Sequence, residues 1–220
     1  MAPASLRRAS PAWRAGRAAA ALGALLRGDA PADDLLTAVE ALGAPPQGWW
    51  EVWGAVRASG TVALLLPRPG DPRGLALPRD AEAPAAVGWA EGPGSVWLIP
   101  SGDVAWTVYL RPDAAVPTPD PEEAGRALRS AVVSAAHVVD GLDIDPSARD
   151  HRARLAHEQL VDSWILGPTA LPPSSRSLAT LGLRMLLTID DARALVDTVA
   201  LESAARSAVE AAFSTVAAPR

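Results

Sequence analysis

The chain contains no cysteine and no lysine. The first absence excludes disulfides, thiolate metal sites and a cysteine nucleophile, and it favours a reducing compartment. The second removes every chemistry that needs an amine side chain, such as a Schiff base or the lysine of a P-loop. There is one tyrosine and one phenylalanine against eight tryptophans, so aromatic burial falls almost entirely to indoles. No stretch approaches the ~18 consecutive apolar residues of a membrane span. No serine sits in a G-x-S-x-G elbow, and Gly92-Pro93-Gly94 lacks the third glycine and the following helix of a dinucleotide site.

What is present is a 220-residue chain rich in alanine and arginine, a bias that looks like GC-rich coding. A chain of this length can bury roughly 70% of the surface it exposes when unfolded, so it needs no covalent staple. The net charge of −5 is unevenly spread. Residues 1–28 carry five arginines (Arg7, Arg8, Arg14, Arg17, Arg27) and no acid, whereas everything after them is net acidic. A basic segment on an acidic body suggests either nucleic-acid binding or packing on the chain's own acidic surface. The second reading is preferred, because the segment is short and the acidic remainder repels phosphate. Ser5-Leu6-Arg7-Arg8 is leader-like, yet Arg14 and Arg17 interrupt the apolar stretch that would follow. The expectation is a cytoplasmic chain without a membrane partner. Its first 10–12 residues should be disordered.

Periodicity places helices over 14–27, 33–42 and 49–59. A buried strand follows at 61–66, another strand at 86–91, and a hairpin of strands 95–100 and 103–110. With Ser101-Gly102 as a two-residue turn, Trp97 faces Trp106 and Ile99 faces Val104, all on one face. Prolines 112, 117, 119 and 121 then lead into helices. The first has Asp120 as cap, Pro121 at its first position and Glu122-Glu123 in its first turn. Others are expected over 147–165, from Ser174 or Ser175 to 187, and from Asp190 or Asp191 to 216. The fold class is α+β: a small, mainly antiparallel β-sheet packed with helices, followed by a helical C-terminal half. The organisation is a basic helical segment 1–28, an α+β domain 29–117 and a helical bundle region 118–220, packed on the sheet as one unit.

Residues that could carry chemistry are few. His151 and His157 are six apart on one predicted helix and point to different faces, unlike an i, i+4 metal pair, and His137 stands alone. Asp140, Asp143 and Asp145 do not place a glycine and a glutamate where an EF-hand loop needs them. Arg27-Gly28-Asp29 spells an adhesion tripeptide at a length that matches by chance. No metal, cofactor or catalytic residue is assigned. Two binding surfaces remain. Trp49, Trp50 and Trp53 cannot all lie on one narrow helical stripe, so one indole is a candidate for an exposed partner-binding edge. The loop 67–75, with three prolines and two glycines, leaves the end of a buried strand. There Arg68 and Arg73 could fork onto an anion around Asp71.

The run Leu66-Pro67-Arg68-Pro69-Gly70-Asp71-Pro72-Arg73-Gly74-Leu75, followed by strands and a proline-rich lead into helices, resembles a group of uncharacterised proteins from GC-rich bacteria. The resemblance covers about residues 50–210 and implies the domain layout, with no activity attached. The leading functional expectation is a non-enzymatic interaction or scaffold protein, with another protein or itself as partner. The alternative is a small-molecule or phosphate-binding protein, possibly an enzyme, organised around Arg68, Asp71 and Arg73.

Overall fold

The computed structural model describes residues 10–67, 85–112, 115–140, 151–165, 171–192 and 198–217. Side chains are described for these residues except at 138–140, 151–157 and 190–192. The fold is α+β. Helices α1 (Pro11–Arg27), α2 (Ala32–Glu40) and α3 (Trp49–Ser59) precede strands β1 (Thr61–Leu65), β2 (Ala86–Glu91), β3 (Gly94–Ser101) and β4 (Ala105–Arg111). Helices α4 (Pro121–Asp140), α5 (His151–Ile165), α6 (Pro173–Ala192) and α7 (Val199–Phe213) follow, and the chain ends on β5 (Thr215–Val216). The strands form one antiparallel sheet in the order β4-β3-β2-β1-β5.

The helix termini follow local chemistry. Ser10 caps α1 by accepting a hydrogen bond from the Trp13 N–H, and Pro11 takes the first helical position, where a missing N–H does no harm. Of the 10–12 residues expected to be disordered, positions 1–9 lie outside the described ones, whereas Ser10, Pro11 and Ala12 form the start of α1. Gly28 ends α1 in the left-handed conformation. Asp120 Oδ1 accepts from the Glu122 and Glu123 N–H groups and starts α4. The C-terminal boundaries differ from the sequence expectation. Asp190 and Asp191 do not begin a helix; they lie in the last turn of α6. The final helix stops at Phe213, and residues 215–216 pair with β1 as a strand that two residues of sequence could not announce.

Helix α1 crosses the sheet and also meets α2, α3, α5 and α7. Its alanines 15, 18, 19, 20 and 21 and Leu22 are buried, so it is enclosed on nearly every side. Small side chains let its neighbours approach closely: Gly16 sits against the ring of Trp164, which packs edge-on against Phe213 at 5.7 Å between centroids. The described part of the basic segment is thus a helix enclosed between the sheet and four other helices.

The sheet has two different faces. Val62, Leu64, Leu66, Val87, Trp89, Val96, Leu98 and Trp106 belong to the main core under the helices. Ala63, Leu65, Ala86, Trp97 and Ile99 form a second, smaller cluster with Tyr109 and Val116 against it. Trp97 lies across from Gly88, whose lack of a side chain makes room for the indole.

The β3–β4 register corrects the sequence expectation. Ser101 pairs with Ala105, Pro100 with Trp106 and Trp97 with Tyr109, so the turn is the three residues Gly102-Asp103-Val104. Trp97 and Trp106 consequently lie on opposite faces. The reason is Pro100: a two-residue turn after it would make residues 100 and 103 the closing pair, which exchanges two N–H···O bonds, and proline has no N–H to give. Trp106 remains a core residue, for a different reason. Its indole N–H donates to the carbonyls of Leu42 and Gly43, and its ring meets Trp49 edge-on at 5.5 Å. Trp106→Ala should therefore lower stability by roughly 3–5 kcal/mol, as other buried aromatic truncations do. Thr107→Ala, at an exposed position, should change it by no more than about 0.5 kcal/mol. Urea titration of both variants checks the contrast.

The two sheet edges are treated unequally. Beyond β5, the outer edge of β1 is closed by side chains: Ser214 Oγ accepts from the Leu64 N–H and the buried carboxylate of Glu210 from the Leu66 N–H. Arg206, ion-paired to Glu202, reaches the Leu66 carbonyl. Helix α7 thus stands in for a missing strand. Among the described residues, no strand lies beside the outer edge of β4, and the carbonyl of its first residue, Ala105, accepts from Arg14.

Candidate functional site

The first candidate is the tryptophan cluster of α3, and the structure divides its members. Trp49 is only 4% exposed, and its indole N–H donates to the Gly43 carbonyl at 2.9 Å, so it is a core residue of the α2–α3 corner. Trp50 is 58% exposed. Trp53 is half-buried, with the Arg57 guanidinium 5.9 Å from its ring centroid. Trp50, Trp53, Gly54 and Arg57 recur at i, i+3, i+4 and i+7 and share one helical stripe. Gly54 has nothing near its would-be Cβ, which leaves the ridge unobstructed between the two indoles and the arginine.

Trp53 and Arg57 also form one wall of a cleft of about 850 Å³, whose other walls include Leu26, Arg27, Thr61 and Val216. It lies where α1 and α3 both end, at Gly28 and Gly60, and where β5 joins the sheet. Two helix C-termini bring negative partial charge there, and the last-turn arginines Arg27 and Arg57 oppose it. Arg27 is fixed by Asp29 (Nε to Oδ2, 2.7 Å) and Thr215 (Nη1 to Oγ1, 2.9 Å). The tripeptide Arg27-Gly28-Asp29 is thus a helix cap closed by its own ion pair. Arg57, by contrast, has no ion pair among the described residues. The cleft and the stripe make one continuous surface of indole, arginine and short aliphatic side chains.

The second sequence candidate, Arg68, Asp71 and Arg73, lies outside the described residues, as do Asp143, Asp145 and the side chains of Asp140, His151 and His157. The structure describes the loop's root at Leu66, held by Glu210 and Arg206. His137 is exposed on α4. Among the described residues, no group of three or more histidines and carboxylates could hold a metal ion.

The third candidate, the basic N-terminal segment, does not present an arginine face from α1. Arg14 is 2% exposed and spends its guanidinium on backbone carbonyls: Nε and Nη2 donate to Leu42, Nη1 to Gly102 and Nη2 also to Ala105, all at 2.8–3.1 Å. Its plane lies over Trp106 at 4.9 Å. Burial lowers its proton affinity below the usual arginine value, and the nearby charge of Asp103 partly opposes that shift. This arginine ties the α2–α3 corner to the β3–β4 turn and is not available to a ligand. Sequence reasoning missed it, because nothing in the composition of 1–28 separates a core arginine from surface ones.

No helix of the described residues is long and apolar enough to cross a membrane. Neither the curated proteins nor the solved structures contain a match to the chain. Residues 15–124, from the first turns of α1 to the start of α4, match the family described as Rv1486c-like protein, N-terminal domain, and the chain belongs to that family.

Proposed function

We propose that the protein is a non-enzymatic interaction module that engages a protein partner through the Trp50–Trp53–Arg57 stripe of α3 and the cleft beside it. The observation that carries this reading is an indole left 58% exposed on a helix whose adjacent tryptophan, Trp49, is buried. Tryptophan and arginine are the side chains most enriched among residues that dominate binding energy, because each offers a large, stiff contact surface with a polar handle. A partner that fits would bring an apolar side chain onto Trp50 and a carboxylate to Arg57. The enclosure of Arg14 supports a protein partner over a nucleic acid.

Trp50→Ser and Arg57→Ser test it. Both side chains are exposed, so stability in urea should move by no more than about 0.5 kcal/mol. A protein that co-purifies with the wild-type chain after mild cross-linking in cells should be lost from both variants. An unchanged set of co-purifying proteins would refute the reading.

A further inference from the structure

The outer face of α3 carries residues of very different size and charge. Trp50 is 58% exposed, Glu51, Gly54 and Arg57 are exposed, and Trp53 is half-buried. Neither Glu51 nor Arg57 has an ion pair among the described residues. Nothing lies within 4 Å of a would-be Cβ on Gly54, so a notch stands open between the two indoles and the arginine. An occupant that matches this face brings a bulky apolar group to the notch, a cation to the indole of Trp50 and a carboxylate to Arg57.

The same stripe, reversed, supplies all three. When two copies of α3 pack antiparallel with the twofold axis between Trp53 and Gly54, Trp53 of each copy comes opposite Gly54 of the other. The indole then enters the space that the glycine leaves. Trp50 of each copy comes opposite Arg57 of the other, which sets a guanidinium on an indole face, the contact that Arg57 already makes with Trp53 at 5.9 Å. Glu51 is one position further along, so its carboxylate stands near Arg57 of the other copy, as flanking charges do across paired helices. Each contact occurs twice, as a twofold interface requires. Parallel pairing would instead set Arg57 against Arg57 and Glu51 against Glu51, so charge selects the antiparallel order. We propose that the occupant of this stripe is a second copy of the chain, its α3 packed antiparallel in the register that seats Trp53 on Gly54. The proposal rests on the stripe being a binding face and names what binds there.

Charge exchange tests occupant and orientation together. In sedimentation equilibrium the wild-type chain should approach twice its monomer mass as its concentration rises. Arg57→Glu and Glu51→Arg should each weaken self-association roughly tenfold or more, because each sets like charges together at both ends of the interface. Mixed in equal amounts, the two variants should associate again, since one Glu–Arg contact is then native and the other has its signs exchanged. Gly54→Leu should also weaken association roughly tenfold or more by filling the notch. It should leave the chain folded, because leucine favours a helix over glycine and nothing crowds its Cβ. All three altered positions are exposed, so circular dichroism should show the folded protein throughout. A wild-type chain that stays monomeric at every concentration would overturn the second copy as occupant. So would a dimer indifferent to Gly54→Leu and to the charge exchange. The interaction reading fails separately, if a protein captured in cells ignores Trp50→Ser and Arg57→Ser.

Discussion

Gly43→Ala is expected to be among the most damaging single-methyl additions in the molecule. Gly43 has a φ of +88°, a region that side chains with a Cβ occupy at a penalty of roughly 1–2 kcal/mol. That alone would be tolerable. The decisive fact is where the methyl would go: it runs into the backbone carbonyl oxygen of Val104, in the β3–β4 turn. Backbone cannot rotate away as a side chain can, so the turn must move. It is held by Arg14 through the Gly102 and Ala105 carbonyls, and the Gly43 carbonyl itself receives the indole N–H groups of Trp49 and Trp106. Adding overpacking of roughly 1–3 kcal/mol gives a total of about 2–5 kcal/mol, a large fraction of the stability of an ordinary domain. Gly28→Ala is the control, since Gly28 has a φ of +74° but nothing within 4 Å of its would-be Cβ. It should lose only the conformational part. Equal effects of the two substitutions in urea titration would mean that the α2–α3 corner does not press on the turn.

Arg14→Met should destabilise the fold by a similar amount. Methionine approximates the length and volume of the arginine stem but donates nothing, so the carbonyls of Leu42, Gly102 and Ala105 lose the guanidinium. A buried acceptor left unsatisfied costs roughly 1–3 kcal/mol, and three of them give about 3–5 kcal/mol once some relax toward water. Arg14→Lys should rescue little, because one ammonium cannot span carbonyls that the planar fork reaches together. Combined with Gly43→Ala, the loss should be less than the sum, since both changes release the same turn. The pH dependence has a defined sign. Burial holds the folded-state pKa of Arg14 below its unfolded value, so the unfolded chain binds the proton more tightly. The resulting penalty is present below the folded pKa and relieved only as strongly alkaline pH is approached. Mild acid should therefore leave the clamp's contribution unaltered.

The sheet and most helices were legible from residues because their signals are local. Asp120-Pro121 starts α4 by satisfying its own amides, and 61–66 and 86–91 read as strands from composition and flanking breakers. The hairpin register was not legible in the same way. Its apolar alternation fits either turn length, and the deciding residue, Pro100, counts only once the closing pair of the turn is considered. The tertiary support, Arg14 on Gly102 and Ala105, joins positions 88 and 91 residues apart and leaves no local trace. The same holds for β5, two residues made into a strand by the neighbouring edge of β1. Of the candidate contact face, the sequence showed that three tryptophans could not share one narrow stripe. That Trp50 is the outward one, and that Trp53 and Arg57 border a cleft, depends on how α1 and β5 pack against α3.

The proposed partner-binding face is the Trp50–Trp53–Arg57 stripe of α3. A photo-cross-linking amino acid placed at position 50, and separately at exposed Arg126 on α4, tests it in cells without removing any contact elsewhere. We expect a discrete cross-linked protein band from position 50, absent from position 126 and lost when Arg57→Ser is introduced into the same chain. Equal labelling from both positions, or a band indifferent to Arg57, would contradict the assignment of this surface.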